Sequence, residues 1–91
     1  MDDFAAELTR QRRRSGLSLG RLATRAGLDK SAISRLEHGL RHPTRETIAA
    51  LIEGLGLVDT DEDRQARVRL YLGAGFVPPG HRVTGLERMA A

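Results

Sequence analysis

Ninety-one residues with a formal net charge of +3 suffice for one domain, and a chain this short buries only about two-thirds of its unfolded surface. With no cysteine, neither a disulfide framework nor a thiolate metal site is available. No apolar run approaches the roughly 20 residues of a membrane span, and Met1-Asp2-Asp3-Phe4 lacks the basic, apolar profile of a signal peptide, so a cytoplasmic protein with no membrane partner is expected.

Phe4, Tyr71 and Phe76 are the only aromatic residues, which leaves Leu, Ile, Val and Ala to build the core of a small helical bundle. The spacing predicts a first helix over residues 3–14, with Phe4, Ala5 and Leu8 inward and the early acids at its positive end. Ser18 is placed to cap a second helix over 18–26, on which Leu22, Ala23 and Ala26 share a face. Gly27 stands where that helix must stop and the chain reverse, in a left-handed conformation that a side chain opposes. Leu28 is an apolar plug inside the turn, and Asp29 is placed to cap a third helix over 30–37. There Ala32, Ile33 and Leu36 face inward and leave Lys30, Ser31, Ser34 and Arg35 outward. Gly39 ends this helix. After Pro43, Thr44 caps a fourth over 44–55, with Ile48, Leu51, Ile52 and Leu55 as its stripe and Gly54 and Gly56 weakening its end; Leu57 and Val58 pack on leaving. Thr60 and three acids open a fifth over 60–72, whose expected apolar face is Val68, Tyr71 and Leu72. Gly73 and Gly75 end it, and Pro78-Pro79-Gly80 forbids further helix. Beyond that, Leu86 and Met89 fit one short helical turn or none. With no strand signal and no internal repeat, the fold class is all-α with five helices.

Charge divides unevenly along the chain. Residues 1–45 hold nine Arg and one Lys against five acids, a balance of +5, whereas residues 46–91 hold five Arg against seven acids, a balance of −2. DNA carries one negative charge per about 1.7 Å of axis, so the cationic half is an electrostatic footprint for it. Two short helices hinged at a glycine, one braced across the other, push a few polar side chains into a groove.

Gly16-Leu17-Ser18, Leu22-Ala23, Ala26-Gly27-Leu28, Ser31, Ile33-Ser34-Arg35-Leu36-Glu37, Gly39, Arg41, Pro43-Thr44 and Ile48 together resemble the helix-turn-helix of the Cro and phage-repressor type, the xenobiotic-response-element (XRE) family. With the helix on either side, the resemblance covers roughly residues 4–57. It implies a five-helix, lambda-repressor-like DNA-binding domain over residues 1–58. A fifth helix and short C-terminal extension over 59–91 then form a candidate dimerisation region.

The resemblance implies that Lys30, Ser31 and Arg35 occupy base-reading positions, with Ser34 beside them. Arg35 suits guanine, because a guanidinium pairs with O6 and N7 in two parallel bonds, worth about 1–3 kcal/mol of discrimination. The helix starting at Ser18 aims its first amides, from Leu19 on, at the phosphate backbone. Relatives commonly carry glutamine where this chain has Leu19, and Arg21 is placed to compensate. Arg41, His42, Thr44 and Arg45 offer phosphate contacts on the other flank, although Arg45 also fits a plain exposed face of the fourth helix. In relatives the arginine matching Arg12 pairs with the glutamate matching Glu37, which implies a brace on the reading helix.

These features imply a sequence-specific regulator of transcription, a repressor by the family's habit, in a bacterial or phage-like cytoplasm. Two heads in a homodimer would read a pseudo-palindromic operator with half-sites about 34–36 Å apart. An alternative makes it an antitoxin-type module that binds its operator and holds a protein partner through the C-terminal segment. Residues 70–79 are apolar enough for a dimer surface or for completing the monomer core, and both readings stand. His38 and His42, with His81, are an unconvincing metal set, since Gly39 and Pro43 break the helical regularity. Gly54/Gly56 and Gly73/Gly75 lack the lysine or strand of a phosphate cradle, and no Ser, His and acid combination forms a catalytic set. No enzyme activity and no cofactor is expected.

Overall fold

Hydroxyl caps and glycine exits divide the chain into five helices, α1 (Asp3–Arg14), α2 (Leu19–Ala26), α3 (Lys30–Glu37), α4 (Arg45–Leu55) and α5 (Asp61–Gly73), in a computed structural model that describes residues 3–79. No strand occurs among the described residues, so the fold is all-α. Ser18, Thr44 and Thr60 hold extended backbone and accept hydrogen bonds from the amides of Arg21, Thr47 and Asp63 at 3.1, 3.1 and 3.2 Å. Each satisfies one amide that the first turn leaves without a partner, a contribution of about 1 kcal/mol. Asp29 occupies the cap position of α3 but makes no such bond with its side chain; its carbonyl alone enters the helix, accepting from Ile33 N at 3.1 Å.

The exit from α2 requires its glycine. Gly27 sits at φ 70° and ψ 32°, which turns Leu28 back so that its amide donates to Ala23 O at 2.9 Å. The other helices close on the same bond, from Leu17, Leu40, Leu57 and Phe76 to Arg12, Arg35, Ile52 and Tyr71. Leu17, Leu28, Leu57 and Phe76 then pack against the core, while Leu40 remains 77% exposed.

Every helix contributes to one core: Phe4 and Leu8, Leu22 and Ala23, Ile33 and Leu36, Ile48, Leu51 and Leu55, and Leu70, Tyr71 and Ala74. α2 packs across α4, α1 along α5, and α3 against both α1 and α2. Gly54, expected to weaken the end of α4, is instead buried within it at the crossing with α2. A Cβ there would lie 3.0 Å from Ala26 Cβ and 3.1 Å from Ala26 N and Leu22 Cδ1. The Arg25 guanidinium donates from Nε to Gly54 O at 2.6 Å, closing the C-terminal end of α4.

The rotation of α5 also differs from expectation. Its buried face is Asp63, Ala66, Leu70 and Tyr71, while Val68 is half-buried and Leu72 is 56% exposed. A polar seam with α1 sets this rotation. Asp63 accepts from Arg14 and, at 2.9 Å, from Val58 N. Arg14 also donates to Gln11 Oε1 at 2.9 Å, Gln11 Nε2 donates to Glu7 Oε2 at 2.7 Å, and Arg69 Nε lies 3.2 Å from the same oxygen. Burial pushes the Glu7 carboxyl up, but hydrogen bonds from Gln11 and Arg10 and the nearby Arg69 cation outweigh it and leave it below its ordinary value. The Val58 amide first, and then Arg14, likewise hold the Asp63 carboxyl down.

Ala5 is only half-buried and Val58 is exposed, because Phe4 and Leu57 take the neighbouring space in the core. Of the two readings for the segment after residue 70, core completion describes Leu70, Tyr71, Ala74 and Phe76. The expected short turn near Leu86 and Met89 lies outside the described residues. No helix among the described residues is long and apolar enough to cross a membrane.

Candidate nucleic-acid interface

Helix α3 is held from behind. Ile33 and Leu36 are 0% and 2% exposed, so one face of α3 is locked in the core. Its far end is tied to α1, where Arg12 Nε and Nη2 donate to the two carboxylate oxygens of Glu37 at 2.6 and 3.1 Å. The third contact of the same guanidinium runs from Nη1 to Leu17 O at 3.0 Å. Both side chains are largely buried, at 15% and 7% exposure. The hydrogen bond to Glu37 raises the Arg12 pKa above its ordinary value despite the opposing effect of burial. Three donors in a planar fork fix an orientation, and that orientation is the angle at which α3 leaves the body.

On the opposite face of α3, Lys30, Ser31 and Arg35 are exposed, and Ser34 is half-buried at the margin. Helical spacing sets Lys30 and Ser31 on the opening turn and Arg35 one turn later. The Ser34 carbonyl accepts from the His38 amide and lies 2.7 Å from His38 Nδ1, which finishes the helix.

The residues expected to flank α3 on the DNA fall into two groups. At the start of α2, Ser18 and Arg21 are exposed, and the Ser18 hydroxyl is engaged by the Arg21 amide. Leu19 is half-buried against the core. After α3, Arg41, His42, Thr44 and Arg45 are all exposed. Thr44 Oγ1 is shared between Thr47 N and Thr47 Oγ1, at 3.1 and 2.9 Å. Arg45 and His42 are drawn together on one ring. The Arg45 guanidinium carbon stands 5.1 Å from the Phe76 centroid, and the His42 centroid 6.0 Å from it at a 49° tilt.

Charge pairing is concentrated on α1 and α5, where Arg13 alone among the described arginines has no acidic partner. Arg10, Arg12, Arg14, Arg64, Arg67 and Arg69, all on α1 or α5, have acidic partners. Arg21, Lys30, Arg35, Arg41 and Arg45 form no ion pair among the described residues. The cations of the helix pair and its following loop are therefore left without internal compensation. His38 and His42 serve different partners, and no group of three metal-ligating side chains occurs among the described residues. His81 lies outside the described residues.

Two participants were not foreseen from sequence. Phe76 sits 31 residues beyond Arg45, and its one local signal is the Gly75-Phe76 pair, which repeats the glycine–apolar ending of the other helices. Arg25, which ties the end of α2 to that of α4, carries no local signal at all. No curated protein and no solved structure matches the chain. A family model described as a helix-turn-helix domain, an architecture that binds DNA, matches residues 3–66, from α1 into α5; the chain belongs to the helix-turn-helix domain family.

Proposed function

We propose that this protein is a sequence-specific regulator of transcription of the Cro and phage-repressor (XRE) type, acting as a repressor that reads the major groove of double-stranded DNA with α3. The uncompensated cations of the motif carry this reading: Arg21, Lys30, Arg35, Arg41 and Arg45 lack carboxylate partners among the described residues, whereas the paired arginines lie on α1 and α5. Salt-bridged arginine is already neutralised, but an unpaired one gains from releasing the counterions of a phosphate chain.

Roles follow from position. Arg35 pairs with a guanine edge, and Lys30 and Ser31, with Ser34 beside them, read adjacent bases. The first amides of α2 with Ser18, Leu19 and Arg21 hold one stretch of backbone, and Arg41, His42, Thr44 and Arg45 hold the other. Arg12 and Glu37 set the angle of α3 and read nothing. Reading belongs to residues 1–58. Pairing of two copies on a pseudo-palindromic site belongs to the region from residue 59, where Leu72 and Val77 stand exposed. The alternative antitoxin role draws no support from Leu70, Tyr71, Ala74 and Phe76, which the core employs.

Selection from a random duplex pool at fixed salt tests the assignment. A recovered motif containing guanine, with two-fold symmetry, is the expected result. A pool that emerges unenriched at every salt concentration refutes it.

A further inference from the structure

We infer that Phe76 is a positioning residue for DNA binding: its ring presets Arg45 and His42, so the segment after α5 controls the phosphate-contacting loop before α4. This inference rests on the proposed function of that loop. Phe76 is partly buried against the core, one of only three aromatic residues in the chain. Its place is fixed by α5 itself. Gly75 turns the chain at φ 87°, and the Phe76 amide donates to Tyr71 O at 2.9 Å. The ring thereby arrives beside the first residue of α4, bearing on Arg45 at 5.1 Å and His42 at 6.0 Å. One side chain, anchored in the core, thus reaches His42 in the loop and Arg45 at the start of α4.

The chemistry favours phosphate as the ligand of this arrangement. A guanidinium held against a ring face loses rotamer freedom before any ligand arrives, while its N–H groups, which lie in its own plane, stay available. No carboxylate pairs with Arg45 among the described residues, so those donors have no competing internal acceptor. Ordering a long, flexible cation in advance lowers the entropy lost on binding. The contact is sequence-neutral: it strengthens attachment to any duplex and leaves base preference with α3.

The test is a double-mutant cycle of Phe76→Leu and Arg45→Ala, using a short duplex of mixed sequence at low salt and the melting temperature of each variant. Leucine keeps apolar bulk in the core but has no ring face. Phe76→Leu is expected to weaken binding about two- to fivefold in the parent and to have almost no effect once Arg45 is alanine. Phe76→Tyr, which retains the ring, is expected to bind like the parent. In the free protein, the Arg45 side-chain protons are expected upfield of their ordinary shifts by the ring current, and to return there in Phe76→Leu. An equal loss in both backgrounds, or an unshifted Arg45, overturns the inference while leaving the proposed function standing. A parent protein that binds no duplex, with Arg45 still ring-shifted, overturns the proposed function and the inferred binding role with it.

Discussion

Arg12 and Glu37, 25 residues apart, meet through two hydrogen bonds at 2.6 and 3.1 Å, and a third from Arg12 engages Leu17 O between α1 and α2. One guanidinium therefore touches the first helix, the entry to the second and the end of the third. Glu37→Ala leaves a largely buried cation without its carboxylate partner, and is expected to cost about 3 kcal/mol of stability and to weaken DNA binding. Urea titration with a duplex-binding assay checks both. A variant that unfolds at the parent's midpoint shows that the pair does not brace α3.

On the proposed reading, base reading and phosphate holding separate by salt and sequence. Arg35→Ala is expected to remove preference at one operator position, worth about 1–3 kcal/mol against the wrong base, with the salt slope nearly kept. Arg41→Ala is expected to weaken all duplexes alike and to lower the log–log salt slope by about 0.9. Titrations of matched and mismatched duplexes at several salt concentrations distinguish them. Identical behaviour of the two variants contradicts the division of roles.

Two helical glycines predict opposite outcomes. A Cβ added at Gly20 would meet nothing within 4 Å, and the backbone there is ordinary, so Gly20→Ala is expected to stabilise by about 0.5–1 kcal/mol through helix propensity. At Gly54 the same change presses on Ala26 N, a backbone atom that cannot swing aside. The strain there exceeds the propensity gain, and a net loss of about 1 kcal/mol is expected. Thermal melts of the two variants check the contrast, and a stabilised Gly54→Ala contradicts the close α2–α4 crossing.

The polar seam makes stability acid-sensitive. Glu7 and Asp63 are held below their ordinary values of 4.5 and 3.8, so the unfolded chain takes up protons more readily than the folded one. Their contribution is complete above those ordinary values and disappears as the pH falls through the lowered folded ones. The unfolding midpoint is expected to hold from about pH 7 to about pH 5 and to drop steeply below about pH 4. Glu7→Gln and Asp63→Asn should each flatten that drop. A parent whose midpoint is unchanged at about pH 3 speaks against the seam.

What could be read from the chain was short in range. Ser18, Thr44 and Thr60 act on amides three residues away, and Gly27 acts on its own helix end, so the element boundaries lay in local chemistry. The exposure of Lys30, Ser31 and Arg35 followed from helical spacing about Ile33 and Leu36. The face of α5 did not follow, because Val68 and Leu72 outweigh alanine in any hydrophobic pattern. Its rotation depends on Asp63 meeting Arg14, 49 residues earlier. Gly54 was illegible for a similar reason, since a glycine that breaks a helix and one that admits a neighbour look alike until Ala26 is placed beside it. The Phe76–Arg45 stack likewise joins positions that only the folded chain makes adjacent.

The outward face of α3 has a consequence for how target preference changes. Lys30, Ser31 and Arg35 lie outside the core and form no ion pair that holds the fold among the described residues, whereas Ile33, Leu36 and Glu37 on the same helix do the anchoring. On the proposed reading, the alphabet of the operator is written in side chains the scaffold does not need. Retargeting is then a matter of exchanging three surface residues on an unaltered frame, with little thermodynamic resistance from the protein itself.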